Sequence, residues 1–254
     1  MTSKTLRVVL TALTFGLAAP AFAAGGGSAP AAQNWSFNGP FGTFDRGELQ
    51  RGYQVYKEVC ASCHAMKYVA FRNLRDIGFS EAEVKALAAT FEVTDGPNDD
   101  GEMFQRPALP SDKFPSPFPN EKAARAANGG AYPPDLSLIA KARMHGPDYL
   151  YALLTGYKDA PNGFTVGEGL HYNEAFPGHQ IAMPKPLNED QVTYADGTKA
   201  TVEQMSRDVS AFLMWAAEPK LEERKRMGLK VMIFLVILTG LFFAAKKRIW
   251  RDVH

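Results

Sequence analysis

Residues 60 to 64 read CASCH, and Cys60 and Cys63 are the only cysteines in the 254-residue chain. Two thiols at that spacing cannot staple distant segments together. A disulfide between them would close a small, strained ring of the kind met in redox-active C-x-x-C sites. The fold must therefore rest on an apolar core, and the thiols must act locally, beside His64. With 46% hydrophobic residues, the chain has the material for one large domain or two small ones.

The N-terminus says where that core is built. Lys4 and Arg7 precede an apolar run from Val8 to Leu17, then Pro20 and the small-residue pattern Ala21-Phe22-Ala23. This reads as a secretory signal peptide over residues 1–23, since the apolar run is too short to cross about 30 Å of hydrocarbon. Residues 24–219 are then an exported, periplasmic domain that opens with a small-residue linker, AGGGSAPAAQ. Export places both thiols where oxidised cysteine chemistry persists.

Within that domain, Tyr53, Tyr56, Val59 and Cys60 recur at helical spacing, so a helix is expected to run into the cysteine pair. Ser80 and Glu83 form a capping box for a second helix. Residues 95–120 hold six prolines and no sustained period, which predicts an extended loop, and residues 160–190 read as a second one. Short helices are expected in EKAARAA, LSLIAKAR and GPDYLYALLTGY. Met205, Val209, Phe212, Leu213 and Ala216 share one face of a final helix, and Gly52 and Tyr56 of the first helix are expected to meet its Phe212 or Trp215.

From Val231 to Ala245 no charge interrupts VMIFLVILTGLFFAA, and with the preceding turn the span of residues 228–245 is long enough to cross a membrane once. Basic clusters flank it on both sides, so the positive-inside rule is nearly balanced. The signal peptide decides the orientation, with the C-terminus cytoplasmic and residues 220–254 acting as anchor and short tail. Residues 34–219 carry 17 Lys and Arg against 24 Asp and Glu, whereas residues 220–254 carry nine against three. An exported domain this acidic is a poor partner for nucleic acid.

Three chemistries use C-x-x-C-H. A thioredoxin-like dithiol sits at a helix start after a strand, but here a helix leads into it. Zinc would need further ligands from His145, His171 or His179. A c-type haem uses both thiols for thioether bonds and His64 as an axial iron ligand, and it accounts for two cysteines and no more in an exported chain. The sixth ligand then separates electron transfer from an open, peroxidase-like iron. Met183, on the proline-stiffened loop GHQIAMPKPL, is the leading candidate, with His179 and His171 as rivals.

The stretches RGYQVYKEVCASCHAMKYVAFRNL, ARAANGGAYPPDLSLIAKAR, DYLYALLTGY and GLHYNEAFPGHQIAMPKPL, followed by one C-terminal anchor, closely resemble the cytochrome c1 family of the cytochrome bc1 complex. The resemblance implies a mainly α, cytochrome c-like haem domain with long loop insertions plus one C-terminal transmembrane helix. It implies haem c as the cofactor, with Met183 as sixth ligand, Arg125 pairing with a propionate, and Pro133 and Pro134 packed near the ring. It also implies cytochrome b and a Rieske iron-sulfur protein as partners in a dimeric complex, a c-type cytochrome as acceptor, and a bacterial inner membrane as the location. Some relatives carry an extra disulfide near the haem, for which this chain has no cysteines. A free-standing membrane-anchored shuttle and, behind it, a haem peroxidase subunit with an open iron are the alternatives.

Overall fold

The computed structural model describes residues 29–252, and the expected signal peptide lies outside them. Asp45 starts the first helix. Its carboxylate accepts from the backbone N–H groups of Gly47 at 2.8 Å and Glu48 at 3.2 Å, two donors that a first helical turn leaves free. Helix α1 (Arg46–Glu58) buries Leu49, Gly52, Tyr53, Val55 and Tyr56, and a 3-10 turn over Cys60–Ser62 follows, so the helix does lead into the cysteine pair. In α2 (Glu81–Ala88), Glu83 N–H donates to Ser80 Oγ at 3.2 Å and Ser80 N–H donates back to the Glu83 carboxylate at 2.7 Å, as the capping box requires.

The proline-rich stretch is more ordered than an extended loop. Strands β1 (Glu92–Asp95) and β2 (Phe104–Pro107) pair antiparallel, with Glu92 opposite Pro107 and Asp95 opposite Phe104. Neither strand has a buried apolar face, so no hydrophobic alternation announced them. Polar contacts hold the hairpin instead, with Arg106 pairing both Asp95 and Asp112.

The expected short helices follow as α3 (Glu121–Ala127), α4 (Ile139–Ala142) and α5 (Gly146–Thr155). Residues 160–190 are loop apart from β3 (His171–Tyr172) and β4 (Gln180–Ile181), a two-residue antiparallel pair. Helix α6 (Val202–Ala217) buries both its apolar stripe and Ser206, Asp208 and Ser210, because α1, α4 and α5 pack around it.

The closest approach in the core is the crossing of α1 and α6. A Cβ on Gly52 would lie 2.1 Å from the Asp208 carbonyl oxygen and 2.7 Å from Phe212 Cβ, so only glycine fits. Tyr53 and Tyr56 bring their ring centroids to 5.7 and 5.9 Å from Phe212, and Phe212 stacks on Trp215 at 5.5 Å. Beside the crossing, Arg51 grips fully buried Asp208 with two bonds of 2.9 and 3.0 Å. Its third contact, 2.9 Å, goes to exposed Asp196.

Helix α7 (Leu221–Ile249) is long and apolar enough to cross a membrane, and no part of its apolar window is buried. Its first turns also hold the N-terminal arm. Glu222 accepts from Phe44 N–H at 2.9 Å and pairs with Arg46 at 3.0 Å, while Lys225 donates to the carbonyls of Phe37 and, at 3.1 Å, Gly42.

Candidate functional site

Cys60 follows the C-terminal end of α1 and opens the 3-10 turn. Cys63 N–H donates to the Cys60 carbonyl at 3.2 Å and His64 N–H to the same oxygen at 2.9 Å. Both thiols are unbridged. Burial, with the nearby Cys63 thiol adding to it, pushes the Cys60 thiol up to about 12. The negative end of α1 also disfavours a thiolate. A redox dithiol needs the opposite, a depressed thiol at a helix start.

Zinc fares no better. Among the described residues no three His, Cys, Asp or Glu side chains gather as a cage for an ion. His145 and His171 are exposed, and His179 is half-buried, stacked on Tyr172 at 5.8 Å and edge-on to Phe164 at 6.5 Å.

His64 is held by the segment between α3 and α4. Its Nδ1 lies 2.8 Å from the Pro134 carbonyl. A carbonyl can only accept, so Nδ1 carries the hydrogen and Nε2 is left with its lone pair. Burial lowers the imidazole's affinity for a second proton, which the Pro134 contact only partly offsets, and the ring stays neutral at physiological pH. The two chain segments around this contact are zipped together. Leu136 N–H donates to the Ala65 carbonyl at 2.8 Å, Lys67 N–H to Asp135 Oδ2 at 3.0 Å and Tyr68 N–H to buried Ser137 Oγ at 3.1 Å. From the other side the Tyr56 hydroxyl donates to the His64 carbonyl at 3.3 Å.

Two adjacent thiols and a neutral imidazole with a free Nε2, oriented by a backbone carbonyl, form the donor set that a covalently attached haem c takes. Orientation through the second ring nitrogen is what a metal-bound histidine ordinarily has.

Met183 lies just past β4, half-buried, and its carbonyl accepts from the Tyr157 hydroxyl at 3.0 Å. Other methionines are differently placed. Met66 and Met205 are fully buried in the core, whereas Met103 and Met144 are 60% and 83% exposed. Met214 is half-buried but belongs to the cleft between Trp35, Pro147 and Leu221.

Arg125 is exposed on α3. Its guanidinium pairs with Glu121 at 2.7 and 2.9 Å, donates to the Gly130 carbonyl at 3.0 Å and lies 5.5 Å over the Tyr132 ring. Pro133 is half-buried, and Pro134 is exposed but supplies the carbonyl on His64. Sequence reasoning placed the proline pair near the site without this role. It read Tyr56 only as a packing residue of α1 and missed Asp135, Ser137 and Tyr157, whose only signal was a polar atom in a half-apolar segment.

Comparison with known proteins shows the family. The model of the cytochrome C1 family matches residues 35–253. Cytochrome b/c1 of Bradyrhizobium diazoefficiens is 54% identical over 97% of this chain, which spans 39% of that longer protein. Cytochrome c1 of Rhodospirillum rubrum is 54% identical over 87% of each chain. Cytochrome c1 1, heme protein, mitochondrial, of Arabidopsis thaliana is 56% identical over 85% of this chain and 70% of its own length. With the matched region holding the thiol pair, His64, Met183 and the apolar C-terminal helix, the chain belongs to the cytochrome C1 family.

Proposed function

We propose that this chain is the haem-bearing electron-transfer subunit of a quinol–cytochrome c oxidoreductase of the bc1 type. It takes electrons from a Rieske iron-sulfur protein and passes them to a c-type cytochrome. The observation that carries the reading is His64, neutral and aimed through its Pro134 contact, directly after the only two cysteines. A bound haem supplies an iron that exchanges one electron at a time between Fe(III) and Fe(II).

The chain's own residues do the rest. Cys60 and Cys63 would anchor the group covalently, His64 would hold its iron through Nε2, and Met183 would supply a thioether ligand that keeps oxygen and peroxide from the iron. A thioether favours Fe(II) more than a second imidazole would, which suits an acceptor for a high-potential Rieske centre. Arg125 can exchange Glu121 for a propionate at little expense, since a surface ion pair is worth about 0–1 kcal/mol. Pro134, whose carbonyl holds His64, and Pro133 before it would present a stiff edge to the ring. The acidic exported domain steers a basic redox partner toward the site. The apolar α7 spans the bacterial inner membrane once, with the haem domain periplasmic and cytochrome b alongside in a dimeric complex.

The test is mild solubilisation followed by purification through a C-terminal tag. A b-type cytochrome and a Rieske centre that co-purify and reduce this chain's haem with added quinol support the proposal. A chain that purifies alone, red and redox-active, is a free-standing shuttle instead.

A further inference from the structure

Met183 sits two residues beyond a strand pair that is only two residues long on each side, too little ladder to fix a loop. The loop is held by side chains. Asn173, fully buried where β3 turns toward β4, uses its amide three times. Nδ2 donates to the Leu153 carbonyl at 2.8 Å, and Oδ1 accepts from the N–H groups of Ala175 at 3.0 Å and Phe176 at 3.1 Å. The Leu153 carbonyl is one of those that the end of α5 leaves without a helical partner. Gly156 permits the approach, because a Cβ there would lie 3.0 Å from Asn173 Oδ1 and 2.6 Å from the Ala152 carbonyl oxygen.

From this base Tyr157, bridged to Asn173 along the backbone, reaches the methionine with its hydroxyl at 3.0 Å from the Met183 carbonyl.

We infer that Tyr157 and Asn173 are positioning residues for Met183, hanging the methionine loop from the end of α5 and so setting where the thioether is presented. The inference rests on the reading that Met183 is an axial ligand. It goes further in saying what keeps that ligand in place when a competitor is offered.

Tyr157→Phe, made in the full membrane-embedded chain, removes one hydroxyl and keeps the ring. Imidazole is titrated into the oxidised protein while the methionine-to-iron charge-transfer band is followed, with covalent haem content measured alongside. The expected result is half-displacement at about fivefold lower imidazole, the equivalent of about 1 kcal/mol for one net hydrogen bond, with haem content unchanged. Displacement at the parent's concentration overturns the inference.

Met183→Leu separates the two readings. If the band persists in that chain, Met183 is not the ligand and the underlying reading falls. If the band is lost while Tyr157→Phe titrates like the parent, the ligand stands and only the positioning role falls. Should Tyr157→Phe accumulate poorly, Asn173→Ala removes the donation to Leu153 and both accepted N–H bonds. It is titrated in the same way, with at least that shift expected and the parent's value again overturning the inference.

Discussion

Gly52→Ala adds one methyl group at the crossing of α1 and α6, where it would meet the Asp208 carbonyl oxygen at 2.1 Å, the Asp208 carbonyl carbon at 2.7 Å and Phe212 Cβ at 2.7 Å. Ordinary carbon contacts begin near about 3.5 Å, so the helices must part by roughly 1 Å. Two of the three obstacles are backbone atoms, which cannot swing aside. Overpacking of this kind costs about 1–3 kcal/mol, and the parting also strains the adjacent Arg51–Asp208 pair, while alanine returns about 1 kcal/mol of helix propensity. With that strain added, the net expectation is a loss of about 1–2 kcal/mol. For a domain of this size, about 2–4 °C per kcal/mol makes that a fall of about 2–8 °C in Tm.

The assay is thermal melting of the detergent-solubilised chain by circular dichroism at one fixed scan rate. Gly228→Ala is the control, because nothing lies within 4 Å of its added Cβ. Since Tyr56 of α1 holds the His64 carbonyl, covalent haem content should fall together with Tm. A Gly52→Ala chain that melts at or above the parent's temperature would refute the argument that this close approach organises the core.

Three further outcomes are expected. Met183→His keeps its haem through Cys60 and Cys63 but lowers the midpoint in a redox titration by more than about 60 mV, tenfold in equilibrium constant for one electron; an unchanged midpoint means Met183 does not bind the iron. Asp208→Ala strands the Arg51 guanidinium beside a buried gap and costs about 3–5 kcal/mol in denaturant unfolding, whereas Asp196→Ala, at the exposed end of the same arginine, changes stability by under about 1 kcal/mol; equal losses would contradict the burial argument. Burial, only partly countered by Arg207, raises the Glu48 carboxyl above its ordinary 4.5, so the folded chain binds this proton more tightly than the unfolded one and Glu48 weakens the fold as pH rises from 4.5 through the raised value. Glu48→Gln removes that decline, so its stability relative to the parent should grow between pH 4.5 and neutrality when unfolding midpoints are compared; a constant difference would show that Glu48 does not titrate there.

Much of the architecture follows patterns of short range. Periodicity located α1 and α6, the Ser80–Glu83 pair located the start of α2, and an uncharged run located α7. These signals are legible because each comes from neighbours within a turn or two. The hairpin of β1 and β2 escaped notice because its strands bury no apolar face and are held by Arg106, whose two acidic partners flank it at a distance in the chain.

The site divides along the same line. By itself the sequence marked the candidate attachment site, because two thiols and an imidazole within five positions can be read without knowing the fold. It also proposed a thioether on a stiff loop. Only the tertiary structure decided that Pro134 offers its carbonyl to His64, that Asp135 and Ser137 tie residues 65–68 down, and that Tyr157 and Asn173 secure the Met183 loop. Those contacts join positions 20 to 70 residues apart. Hydrogen bonds of that kind carry no periodicity: any tyrosine or asparagine can donate, and which one does depends on where the packing of α1, α5 and α6 leaves a carbonyl within about 3 Å.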